Sequence, residues 1–251
     1  MKKISLIILT TLLIFAGCSS EEVEKEVEIK MSTTTSLNDS GLLDVLTEEF
    51  YKETNIKVSW VSVGSGEAME IAKSGDVELA FLHSPAAEEE FVAEGYSKKR
   101  NIVMSNNFLI VGPEEIEGTR EEIVAEITQN RTFVSRDDNS GTHKKELEVF
   151  ATTPNNYIRT GLGMGDTLLI ADEKDAYTII DKATWVANKN KVDLVEVYNN
   201  PQDLKNIYSI HQIGDNEDAK AFIDFIYSDE GQKIIAEYGI EQFGEAVYIL
   251  E

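Results

Sequence analysis

Three stretches of this 251-residue chain concentrate small, hydroxyl-bearing and glycine residues. They are Thr33-Thr34-Thr35-Ser36, Gly64-Ser65-Gly66, and Ser135-Arg136-Asp137-Asp138-Asn139-Ser140-Gly141-Thr142. Each follows a predicted strand and opens a predicted helix. The first turn of a helix carries unsatisfied N–H donors at the positive end of its dipole. Several such ends aimed at one point bind an oxyanion without a cluster of lysines. Hydroxyls add donors, glycines let the backbone approach closely, and Arg136 offers a forked, charge-assisted pair of hydrogen bonds. The donors so assigned are Thr35, Ser36 and Ser65 from the first half of the chain and Arg136, Ser140, Gly141 and Thr142 from the second. Thr34 is set apart, because neighbours in a loop often face opposite ways. The plainer reading of each loop is helix capping, since serine and threonine are preferred N-caps. The third segment rises above that reading by joining an arginine, an acid and a Ser-Gly-Thr turn.

The elements that must hold these loops alternate. Val27, Ile29 and Met31 alternate as in a strand, and Leu42, Leu43, Leu46 and Phe50 fall at helical spacing. Residues 57–63 and 77–82 read as strands, with a helix between them marked by Ala68, Met69, Ile71 and Ala72. A helix over 88–94 and a strand over 108–111 follow. The second half repeats the grammar, with helices over 121–128, 141–151, 165–172, 217–227 and 232–238, and strands over 132–134, 177–180, 194–198 and 207–213. Such alternation predicts α/β layers with mostly parallel sheets, and ligands of open α/β folds sit at the carboxyl ends of the strands. Gly112-Pro113 and Asn199-Asn200-Pro201 are breaks. With α/β material before, between and after them, they suit two lobes joined by two crossings. The expected first lobe is 27–111 plus 207–251, and the second is 112–206.

The amino terminus reads differently. Met1-Lys2-Lys3 is a short basic start, residues 4–15 are largely apolar, and Ala16 and Gly17 precede Cys18, the single cysteine. That is a secretory leader, too short to span a bilayer. Phe15-Ala16-Gly17-Cys18 resembles a bacterial lipobox, which implies cleavage after residue 17 and lipidation of Cys18. Residues 18–26 are polar and read as a tether. One cysteine gives no disulfide framework. The net charge of −23 excludes nucleic acid and anionic lipid heads as partners. It does not exclude an anionic ligand, because a buried local site overrides a distant, screened field.

Other chemistries fit less well. Ser140, His143 and an acid form a hydrolase triad only on paper, since no nucleophile-elbow pattern surrounds the serine. His83, His143 and His211 lack zinc spacing, and no calcium-loop pattern occurs. The expectation is therefore a binding protein that is not an enzyme and has no cofactor.

The order and spacing of several segments resemble the tungstate-binding proteins of ABC importers. These are Thr33 to Ser36 followed by Asp39-Ser40-Gly41-Leu42-Leu43, then Val63 to Ala68, Pro85 to Glu89 with Phe91 to Tyr96, and Val103-Met104. Ile110-Val111-Gly112-Pro113, Ser135 to His143, Gly161-Leu162-Gly163-Met164-Gly165 and Tyr177-Thr178 complete the set. The segment Arg136 to Thr142 also resembles the anion loop of phosphate-binding proteins. The resemblance implies a two-lobed periplasmic-binding fold of the second type with two chain crossings. It further implies a bare oxyanion in the interlobe cleft, closure on binding, an ABC permease as partner, a monomer, and an extracytoplasmic, lipid-anchored location. The chain departs from the family at Ser65, where threonine is usual, at Ser84, where aspartate is usual, at Asp181-Lys182-Ala183-Thr184, and at Asp137 beside Arg136. Phosphate, molybdate and sulfate are the alternative ligands. Between them and tungstate stands Asp138: facing the ligand, it would welcome a protonated phosphate; paired with Arg136, it would orient the guanidinium.

Overall fold

The computed structural model describes residues 27–251; the leader, Cys18 and the tether lie outside the described residues. The first lobe is built on β1 (Val27–Thr34), which lies between β2 (Ile56–Val63) and β3 (Leu79–Leu82), parallel to both. Register decides what emerges from this edge. Thr34 is level with Val63, and Thr33 with Phe81. The chain therefore leaves all three strands side by side, at Thr35, at Gly64 and at His83. Beyond β3 the sheet turns antiparallel, through β9 (Lys205–Gln212), β4 (Asn101–Gly112) and β10 (Ile249–Leu250).

Strand β4 serves both lobes. Residues 101–107 pair with β9, and Phe108 to Gly112 pair with β7 (Thr178–Asp181) and β8 (Val195–Tyr198). A parallel pair, β5 (Thr132–Ser135) and β6 (Asn156–Arg159), joins β7 through a Phe133–Tyr177 bridge. The expectation of mostly parallel sheets is corrected: the long crossing strand and its return partner are antiparallel to what they meet, so the sheets are mixed. The sequence reading captured only the apolar end of β4. Its first half is polar, but its asparagines pair within the fold: Asn106 Oδ1 accepts from Asn206 at 2.9 Å, while Asn106 Nδ2 is buried without a partner, and Asn101 donates to the Ile210 carbonyl at 2.9 Å.

Helices follow the strands. In the first lobe α1 (Thr35–Ser40), α2 (Leu42–Thr54), α3 (Ser65–Ser74) and α4 (Pro85–Ala93) come in order. The second lobe carries α5 (Arg120–Asn130), α6 (Gly141–Val149), α7 (Met164–Glu173) and α8 (Lys182–Asn188), and α9 (Glu217–Ile226), α10 (Asp229–Glu237) and α11 (Ile240–Phe243) return to the first. Leu42, Leu43, Leu46 and Phe50 bury one face of α2, and Phe50 meets Phe222 edge-on at 5.0 Å. No described helix is long and apolar enough to cross a membrane.

Candidate anion-binding cleft

The chain ends of β1, β2, β5 and β6 converge on a cleft of about 600 Å³ lined by Thr35, Gly64, Gly66, Arg136, Asn139 and Gly163, among others. Four helices begin around it. Two are capped by side chains: Thr34 accepts from Leu37 N on α1, and Ser140 accepts from His143 N on α6. The other two start on glycine. Gly64 precedes α3 and Gly163 precedes α7, and neither helix has a side-chain cap. Their first-turn N–H groups are thus left for water or a ligand. Capping explains Thr34 and part of Ser140, but not the Gly64-Ser65-Gly66 loop.

The long loop of the second lobe takes its shape from its own residues. Asp137 and Asn139 adopt φ of 46° and 58°, a left-handed conformation that Asp and Asn tolerate better than other side chains. Ser135 Oγ accepts from Asp137 N at 3.0 Å and donates to the buried Glu146 at 2.7 Å, where Tyr157 also donates. Burial pushes the Glu146 carboxyl up, against those two hydrogen bonds. The loop so fixed buries Arg136, 4% exposed, with its guanidinium turned to Asp138 Oδ2, from Nε at 3.0 Å and from Nη2 at 2.5 Å. Asp138 Oδ1 accepts from Ser140 N at 3.0 Å. Both carboxylate oxygens are therefore engaged within the loop, and the open question about Asp138 resolves toward orientation of the arginine.

The predicted donors come together unequally. Arg136 Nη2 reaches Thr35 Oγ1 at 3.4 Å, and Gly141 N donates to Ser65 Oγ at 3.1 Å, so the two lobes touch through four of the seven. Thr142 is 1% exposed, and its hydroxyl is buried without a hydrogen-bond partner. Ser140 Oγ accepts the α6 cap bond from His143 N, which leaves its O–H to donate. Ser36, fully buried, faces His83 Nε2 at 3.2 Å and Thr34 Oγ1 at 3.3 Å.

His83 is the functional candidate that sequence reasoning missed. It follows β3 directly, stacks on Tyr208 with ring centroids 4.9 Å apart, and reaches Asn206 Oδ1 from Nδ1 at 2.8 Å. Asn206 Nδ2 donates to Asn106 and to the Tyr208 hydroxyl, which leaves Oδ1 as the acceptor facing the ring. Nδ1 then carries the proton and Nε2 accepts from Ser36. Burial, aided by the cations Arg136 and Lys144 and opposed by the Asn206 hydrogen bond and Glu88, holds the imidazole neutral with its pKa near 4. The Ser84 that follows is held by Glu88 Oε1, which accepts from Ser84 N at 2.5 Å. Burial disfavours the Glu88 carboxylate, but His211, Ser209, Arg100 and Ser84 N together pull its pKa down to about 2. Its signal was the Leu82-His83-Ser84-Pro85 junction, a strand end opening a helix like the three loops, but without their run of hydroxyls. The hydrolase alternative finds no support here, because Ser140 Oγ accepts from His143 N while the His143 ring accepts from Asn139 N at 3.1 Å.

A family model described as a PBP superfamily domain matches residues 19–230. The curated tungstate-binding protein TupA of Peptoclostridium acidaminophilum is 38% identical over 265 aligned positions, covering 94% of this chain and 93% of its own. Among solved structures, the tungstate ABC transporter protein of Geobacter sulfurreducens is 38% identical with a TM-score of 0.75, covering 84% of this chain and 98% of its own. The tungstate-binding protein TupA of Desulfovibrio alaskensis is 30% identical with a TM-score of 0.74, covering 90% and 99%.

Proposed function

Because the chain belongs to the PBP superfamily, and within it to the family of the tungstate-binding proteins just described, we propose that it captures tungstate in the interlobe cleft for an ABC permease. The observation that carries this reading is the state of Asp138. Both its oxygens are engaged by Arg136 and Ser140 N, which favours a charge-paired carboxylate that orients the guanidinium over one that accepts a proton from hydrogen phosphate. Glu67 and Glu70 also line the cleft, but on its exposed rim. Against them stand donors: Arg136 and the uncapped starts of α3 and α7 at the cleft, with the unpartnered Thr142 hydroxyl and the Ser65 O–H close by. Donors alone favour an ion that carries no proton. Short donors such as Ser65 leave room for tungstate or molybdate, both larger than sulfate or phosphate. The preference for tungstate over molybdate follows from the relatives.

In this reading the lobes are 27–111 with 207–251, and 112–206, and the ligand set is Thr35, Ser36, Ser65, Arg136, Ser140, Gly141 and Thr142. The protein is a monomer, exported and held to the outer face of the cell membrane through a lipid on Cys18. Calorimetric titration of tungstate into the mature protein and into Arg136→Ala tests the site. The wild type binds, and the variant loses the most affinity of any single substitution in the set. Unchanged affinity removes Arg136 from the site.

A further inference from the structure

Beside the donor set lies a second interlobe cavity of about 370 Å³, walled by His83, Ser84 and Pro85 from the first lobe and by Gly141, Lys144 and Lys145 from the second. Gly141 links it to the cleft, since its N–H donates at 3.1 Å to Ser65, which lies between the cleft-lining Gly64 and Gly66. Three lysines line it, and two of them are neutralised: Lys145 pairs with Glu148 at 2.6 Å, and Lys205 with Glu251 at 2.7 Å. Lys144 differs. It is exposed, and among the described residues no carboxylate lies within ion-pairing reach of it; its Nζ instead donates to Ser84 Oγ across the cleft at 3.3 Å. Its field reaches the same buried imidazole that Arg136 acts on, and both cations disfavour protonation of His83.

We propose that Lys144 is the capture cation of the cleft, holding the incoming oxyanion dianion at the cavity mouth before it passes to the Arg136 site. This rests on the reading of the cleft as an oxyanion site. The chain as a whole carries −23, so a dianion meets repulsion on approach from most directions. At physiological salt that field is screened beyond about 8 Å, and charges at the mouth govern the last step. Arg136 cannot serve there, being buried and already engaged by Asp138. Lys144 is exposed and uncompensated, and it sits one turn into α6, whose N–H donors belong to the site. A charge that acts during approach alters the association rate and its salt dependence, and leaves dissociation nearly unchanged.

Stopped-flow fluorescence reads this directly. Trp60 Nε1 donates to Asn38 on α1 at 2.8 Å, so an indole reports on the helix that carries Thr35 and Ser36. With tungstate as the probe at ~10 mM ionic strength, Lys144→Gln lowers the association rate roughly fivefold, and Lys144→Glu lowers it further. The gap narrows as salt rises, dissociation stays within about twofold, and Ser84→Ala behaves as the wild type. A Lys144→Gln variant that associates normally but dissociates faster would make Lys144 a closure latch and overturn the proposal. Equal rates at both salt levels also overturn it. If the wild type binds molybdate or phosphate but not tungstate, the tungstate reading fails, and the same rates with that ion decide the role of Lys144. If no oxyanion binds, both readings fall.

Discussion

Replacing Gly141 with alanine tests closure of the cleft at its tightest point. A Cβ on Gly141 would lie 2.5 Å from His83 Cε1 and 2.9 and 3.0 Å from the two ring nitrogens. The ring has little freedom to retreat, being stacked on Tyr208 and hydrogen-bonded to both Asn206 and Ser36. Gly141 has no positive φ and opens α6, so alanine suits its own backbone. The clash therefore belongs to the contact between lobes, not to either lobe alone. Overpacking of this kind costs about 1–3 kcal/mol. About 2 kcal/mol taken from the closed state weakens binding roughly 30-fold. Calorimetry with tungstate should show that loss, while the anion-free protein melts as the wild type does. Adding His83→Ala should restore part of the affinity, a coupling between residues that sit on different lobes. If Gly141→Ala binds at wild-type affinity, or if its anion-free melting point falls in step with its affinity, the closed contact is not the binding-competent state.

Thr142→Val should leave the anion-free protein as stable or slightly more so, since it removes a buried hydroxyl without a partner, and should weaken tungstate by roughly 1 kcal/mol; thermal melts with and without the anion separate the two signs. Asp138→Asn should weaken all four oxyanions together, about tenfold, by releasing the Arg136 fork; a loss confined to phosphate in calorimetry would place the carboxylate against the ligand. Stability should fall in two acid windows. His83, neutral when buried, disfavours folding as the pH drops from its ordinary 6.5 to about 4, because the unfolded chain binds the proton first. Glu88 stabilises the fold above its ordinary 4.5, a contribution lost by about pH 2. Chemical denaturation across pH should show the first window abolished in His83→Gln. Cys18→Ala should release the protein from membranes or leave an uncleaved precursor, read by fractionation and mass; normal cleavage with retention would contradict the lipid anchor.

The helices and strands that carried apolar periodicity were legible in the sequence: α2, β2, α6, α9 and α10 fall within a few residues of their expected limits. What stayed hidden was polar structure made stable by distant partners. Nothing local marks residues 101–107 as a buried strand, because Asn106 and Asn101 find their hydrogen-bond partners on β9, about 100 residues on. Helix α8 was hidden for a related reason, since its N-cap Asp181 is wholly buried and held by Thr184. The site divides in the same way. Arg136 and the Ser140-Gly141-Thr142 turn could be picked out by residue type. The pairing of Asp138 with Arg136 could not, because it depends on left-handed turns at Asp137 and Asn139 that aim the carboxylate back along the loop. His83 looked like one of three scattered histidines until the register of β1 and β3 set it opposite Ser36. Arg136 was the only cation the sequence placed near the ligand, and Lys144 now joins it through the cross-lobe contact with Ser84.

Oxyanion capture depends on a cleft whose half-buried carboxylate, Asp138, is held by Arg136 and Ser140 N while Glu67 and Glu70 stay at the exposed rim. Its most direct test is a competition titration of the mature protein, stripped of bound anion, against tungstate, molybdate, sulfate and phosphate. Tungstate should bind first with molybdate close behind, and sulfate and phosphate should fail to displace either at comparable concentration. Phosphate binding ahead of tungstate, with an affinity that drops on Asp138→Asn, would mean that Asp138 accepts a proton from the ligand and that the cleft is a phosphate site.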